Sequence, residues 1–167
     1  MQGKTRGRVL ALCLLLSGAS ADAAEASYSV KLMTPETALK AALAGLQKCR
    51  ANGFQVAIAI VDRSGQTQVM LRDRYAGLHT PETAINKAWT AASFKIATTA
   101  LAQATEAGKE ASGIRTVARV VANGGGLPIE VGGVLYGAIG VSGAPGGAAD
   151  DVCAQAGIAA VAEDLEF

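Results

Sequence analysis

Histidine is almost absent from this chain, and the residue patterns of the common metal and nucleophile sites are absent with it. The one histidine is His79, and no CxxC pair accompanies it. A zinc centre is excluded, because such sites need several His or Cys ligands at short spacing. Ser64, Ser93, Ser112 and Ser142 have only His79 to serve as a base, and nothing ties them to it, so no hydrolase triad is legible. Twenty glycines invite a phosphate-loop reading, yet there is no GxxxxGKS/T, and no GxGxxG opens a helix after a strand. Aromatic residues make up 4% of the chain, which leaves few rings to wall an internal pocket.

An excess of positive charge is also missing. Residues 1–23 read as a secretory signal peptide, with Lys4, Arg6 and Arg8 before the apolar run Val9–Leu16 and a cleavage pattern at Ala21-Asp22-Ala23. That run is shorter than the ~18–20 residues that span a bilayer. Residues 24–167 then form one domain with 12 basic and 13 acidic side chains. This balance argues against a nucleic-acid partner, whose phosphates call for a surplus of Lys and Arg. The expected location is periplasmic or secreted. Cys49 and Cys153 remain in the mature chain; export allows a disulfide between them, and two buried thiols are the alternative.

What is present is a clear alternation of helical and strand patterns. Thr34-Pro35-Glu36-Thr37-Ala38 reads as a capped helix start, followed by apolar residues at helical spacing up to the stop at Asn52-Gly53. Residues 54–61 and 66–71 read as a hairpin around Asp62-Arg63-Ser64-Gly65, the first strand being apolar enough to lie centrally with both faces covered. The pentapeptide recurs as Thr80-Pro81-Glu82-Thr83-Ala84, opening a second helix whose apolar stripe runs through Ile85, Ala88, Trp89, Ala92 and Ile96, with Lys87 off it. A further helical stretch covers 98–108, and 113–123 fits helix or strand. Residues 127–142 read as a second hairpin with glycines inside a strand, a sign of close backbone approach or a bulge. A tight Gly143–Gly147 loop leads to a final helix over 148–165. Paired strands separated by helices predict an α+β fold with an antiparallel sheet.

Three segments, HTPETAINKAWTAASF (79–94), GGGLPIEVGGVLYGAIGVSG (124–143) and DDVCAQAGIAAV (150–161), resemble the GlcG/HbpS-like haem-binding family, which is related to the PduO C-terminal domain. The resemblance runs from about Val30 to Phe167. It implies a profilin or roadblock-like antiparallel sheet flanked by helices, assembly into a homo-oligomer, and haem as the ligand. For some members it implies haem breakdown or reporting to a membrane sensor partner.

On that reading His79 is the candidate iron ligand, since a helix N-terminus favours the neutral imidazole that binds metal. Arg72, Arg74 and Lys87 are candidate partners of the haem propionates, and Tyr75 stands beside them as another cofactor-binding candidate. Tyr136, Tyr28, Met33 and Met70 are the remaining side chains able to ligate iron. The scarcity of aromatics favours a shallow site over an enclosed one. The expected function is an exported haem-binding protein that senses or scavenges haem. The alternatives are a haem-degrading or small-metabolite enzyme, in which the Gly143–Gly147 loop offers backbone N–H groups to a small-molecule ligand, and a ligand-free oligomeric interaction module.

Overall fold

The computed structural model describes residue 3 and residues 27–166. Apart from Gly3, the segment read as a signal peptide lies outside the described residues. The chain divides into two units, 1–30 and 31–167. Of the first, residues 27–30 are exposed and carry no regular structure.

Among the described residues the helices and strands lie in the second unit: α1 (Pro35–Ala51), β1 (Ala57–Asp62), β2 (Thr67–Arg72), α2 (Thr80–Phe94), α3 (Thr98–Ala104), β3 (Gly126–Val131), β4 (Val134–Ser142) and α4 (Gly147–Ala159). The four strands form one antiparallel sheet in the order β2-β1-β4-β3. The expected α+β class holds, and β1 is central as its apolar run requires. Helices α1 and α4 cover one face of the sheet and α2 covers the other. The stretch 113–123 is neither a regular helix nor a strand; Glu110–Thr116 is a 3-10 segment, a turn closed by the Val120 N–H on the Val117 carbonyl follows, and irregular chain leads on from it. The final helix stops at Ala159 rather than 165. A short 3-10 turn, Glu163–Leu165, completes it and brings the Leu165 carbonyl to accept from the buried Tyr136 hydroxyl at 2.8 Å.

The strand alternation sorts side chains by size. Ile58 and Ile60 of β1, Ile139 and Val141 of β4, and Ile129 of β3 join α1 and α4 in the main core. The opposite face offers Ala57, Ala59, Val61 and Ala138, packed on Ala84, Ala88 and Ala91 of α2. Gly140 belongs to that face too, and a Cβ there would lie 2.0 Å from the Ala84 carbonyl oxygen. Close backbone approach is therefore the reason for the strand glycine. A bulge in β4 opposite Ile129 and Glu130 interrupts the alternation and lets Tyr136 share the core with Ile139.

Cys49 of α1 and Cys153 of α4 form a disulfide, with Cα atoms 5.5 Å apart and 104 residues between them in sequence. Of the two states left open by the sequence, the fold selects the bridge because the two helices pack side by side at these positions.

Candidate functional site

The two identical TPETA segments do different work. In the first, Thr34 lies outside the helix and its hydroxyl accepts from the Thr37 N–H at 3.2 Å. In the second, Thr80 is already helical and buried, and its hydroxyl donates back to the Gly77 carbonyl at 2.8 Å. The cap position passes to His79, whose side chain makes no capping hydrogen bond. The imidazole is exposed and hydrogen-bonds to none of the described residues. The tight turn from Gly77 into Thr80 is what releases it.

The loop carrying His79 is pinned on both sides. Asp73 is buried, and its carboxylate accepts two hydrogen bonds from the Arg50 guanidinium, at 2.8 and 3.0 Å, and one from the Arg74 N–H at 3.0 Å. The Arg50 hydrogen bonds hold its carboxyl below the usual carboxylate range against the opposing effect of burial. Arg72 is exposed, but its guanidinium folds back to donate to the Ala76 carbonyl. Between these anchors Tyr75 and Leu78 are 81% and 90% exposed. Arg74 is exposed, and its guanidinium hydrogen-bonds to none of the described residues.

His79 stands on the rim of a cleft of about 410 Å³. Thr83 and Lys87 of α2 line one side, and Ser142, Gly143, Ala144 and Asp150 line the other. Lys87 is the surprise. Its position off the apolar stripe of α2 predicts exposure, yet it is 1% exposed. Its ammonium donates to Asp150 Oδ2 at 2.7 Å and to the Val141 carbonyl at 3.0 Å. The other carboxylate oxygen of Asp150 accepts from the Ala144 N–H at 3.0 Å. Burial pushes the Asp150 carboxyl above its ordinary range, and Lys87 opposes that rise.

The Gly124–Gly126 run makes this pairing possible. A Cβ on Gly126 would lie 2.4 Å from the Lys87 carbonyl oxygen, and one on Gly125 would lie 2.9 Å from the Lys87 Nζ. Gly125 also has φ +110°, a region that favours glycine. Only bare backbone lets α2 and the start of α4 converge here. Next to the pair, Asp151 accepts from the Thr99 hydroxyl and from the Gly125 N–H.

The structure thus brings His79 and Lys87 to one cleft, the histidine at its mouth and the lysine at its buried end. Arg72, Arg74 and Tyr75 lie on the loop leading to His79 and do not line the cleft. Of the other candidate ligands, Met33 is buried in the core, Tyr136 is committed to Leu165, and Met70 and Tyr28 are exposed. Asp150 and Ser142 were not legible as site residues. The signal for Asp150, a carboxylate at a helix start, is also what an ordinary dipole partner looks like.

Among the described residues no group of three or more His, Cys, Asp or Glu could hold a bare metal ion. The donor chemistry does fit a haem. His79 offers iron an imidazole nitrogen without a hydrogen-bond partner among the described residues, and Arg74 offers a propionate a guanidinium whose N–H groups make no hydrogen bond there. The ammonium of Lys87 spends two of its three N–H bonds on Asp150 and the Val141 carbonyl, and Asp150 balances its charge.

Comparison with known proteins agrees with this architecture. An uncharacterized 15.0 kDa protein from the dhaT-dhaS intergenic region of Citrobacter freundii is 32% identical over 119 residues, 70% of this chain and 84% of that protein. The crystal structure of a double mutant of Streptomyces reticuli HbpS matches with a TM-score of 0.75 and 32% identity, over 93% of this chain and 97% of that one. A PduOC:heme complex matches with a TM-score of 0.72 and 30% identity, over 78% of this chain and 95% of that one. The family model described as "Haem degrading protein HbpS-like" matches residues 33–159, from the residue before the α1 cap to the last residue of α4. With sequence and fold in accord, the chain belongs to the HbpS-like family.

Proposed function

We propose that this is an exported haem-binding protein in which His79 supplies the axial nitrogen. The observation that carries the reading is the state of His79: an exposed imidazole at the mouth of a cleft, engaged by no other described side chain. Neutral imidazole is a standard haem ligand, and bound iron would supply ligand-exchange or redox chemistry at that position. Tyr75 and Leu78 offer the exposed apolar surface that a porphyrin face needs, and Arg74 is the propionate partner. A solved relative, PduOC, is described as a haem complex, and the family takes its description from haem degradation; both support a haem ligand here.

Export is part of the proposal. The leader pattern of residues 1–23 and the Cys49–Cys153 disulfide both support an oxidising compartment, periplasmic or extracellular. So is assembly into a homo-oligomer, supported by Leu39 and Leu43, which lie exposed four residues apart on α1. Sensing or scavenging, through a membrane sensor partner or without one, is the physiological role we assign.

Haem titration of the mature protein beside His79→Ala tests the reading. The expected result is a saturable, shifted Soret band in the parent and its loss in the variant. A band that survives the substitution would move the iron ligand to Tyr75 or another side chain. No saturable band would sink the haem reading. Adding a reductant then separates binding from breakdown: a binder returns intact haem, whereas a degrading enzyme releases iron and an open-chain pigment.

A further inference from the structure

We infer that the inner part of the cleft, behind His79, is a binding site for a small carboxylate. The inference does not depend on the haem reading. Its starting point is Ser142, the last residue of β4. Ser142 pairs with Ala57, so its side chain is on the α2 face of the sheet, where it lines the cleft together with Thr83 and Lys87. It is 5% exposed, yet its hydroxyl hydrogen-bonds to none of the described residues. The residue is nearly buried and its hydroxyl opens only onto the cleft, so it is free to bond a ligand seated there.

The chemistry around it is that of donors. Lys87 has three N–H bonds and uses two, on Asp150 and on the Val141 carbonyl, while itself lining the cleft. Asn123 lines the cleft, and its side-chain amide makes no hydrogen bond with the described residues. Helix α4 begins at the cleft with Gly146 as its cap, which has no side chain to satisfy the first-turn N–H groups. Both oxygens of Asp150 are already covered, one by Lys87 and one by the Ala144 N–H, so the carboxylate has little acceptor capacity left for a ligand. A site that offers a hydroxyl, an ammonium N–H, an amide and the positive end of a 13-residue helix is complementary to a compact anion with several acceptor oxygens. A planar carboxylate matches donors that arrive from two opposing sides, α2 and the β4–α4 loop.

Such a group has two sources, a free small acid or the propionate of a porphyrin. Acetate is the probe for the first. In ¹⁵N-labelled mature protein, acetate should produce saturable shifts of the Ser142, Gly143, Ala144 and Gly147 amides. Ser142→Ala should weaken binding about tenfold, the effect of losing one hydrogen bond to a charged group. Asn123→Ala changes an exposed side chain, so it keeps the fold, and it should weaken acetate binding severalfold. Competition names the source. Haem that displaces acetate, while its dimethyl ester does not, marks the subsite as a propionate seat; acetate binding untouched by haem marks it as a site for a free acid. Both outcomes keep the carboxylate site, and acetate binding without any haem binding would sink only the haem reading. Absence of saturable shifts, or equal binding in the parent and both variants, would overturn the inference.

Discussion

On the side of the sheet that faces α1 and α4, the strands present Ile58, Ile60, Ile139 and Val141. On the side that faces α2, the same two strands present Ala57, Ala59, Ala138 and Gly140. The first face is held by bulk. A fully buried Ile or Val contributes about 1.5–3 kcal/mol by leaving water, and the Cys49–Cys153 bridge clamps the two helices over it. The second face has little apolar area to bury. It is held by proximity, with the α2 backbone resting against strand backbone, and by polar contacts such as Lys87–Asp150. The cleft opens on this second face. A site needs polar groups with spare hydrogen-bonding capacity, and a layer of isoleucines supplies none.

Three changes would break or sharpen this contrast. The largest effect is expected from Lys87→Met on the α2 face. It leaves Asp150 buried without its counter-ion, which costs about 3–5 kcal/mol. Urea unfolding checks it, and a loss below about 1 kcal/mol would mean that the pair does not hold this face together. Next comes the opposite face. Reduction of Cys49–Cys153 should lower stability by about 2–5 kcal/mol, because a loop of 104 residues regains its freedom in the unfolded chain. The cleft should keep its acetate-dependent amide shifts after reduction, since Asp150, which shares α4 with Cys153, is held in place by Lys87 and the Ala144 N–H. Loss of both together would show that the two faces are not separable. The smallest of the three is Gly140→Ala, with an expected cost of about 1–3 kcal/mol by thermal or urea unfolding. The added methyl collides with the Ala84 carbonyl, so α2 must lift from the sheet. A neutral Gly140→Ala would show that α2 is not seated on the strand backbone.

How far the sequence reaches differs between these regions. The elements themselves are local events. Thr34-Pro35-Glu36 starts α1, and Asp62 closes the first hairpin by accepting from the Ser64 and Gln66 N–H groups at 2.8 and 3.0 Å. The apolar run of β1 foretells its central place. The stretch 113–123 was ambiguous because Ile114, Val117, Val120 and Val121 suit either period. It settles into a 3-10 segment and a second turn, with the Val121 N–H donating to the Thr90 hydroxyl at 3.0 Å, a contact with no local signature. At the site, His79 was legible because it is alone. Asp73 carries no local signal of its role as a buried anchor, since its partner Arg50 lies on another element.

The sequence by itself determined the order of helices and strands, the central strand, an irregularity at the β4 glycines and the one imidazole available to a ligand. These follow from side-chain periodicity and from backbone freedom, both of which act within a few residues. Only the tertiary structure decided that Cys49 meets Cys153, that Lys87 turns inward to Asp150 and that Ser142 is left facing a cleft without a partner. Each of those depends on residues tens of positions apart, brought together by how far each helix stands from the sheet. That distance is set by the summed sizes of many side chains and can be read from none of them alone.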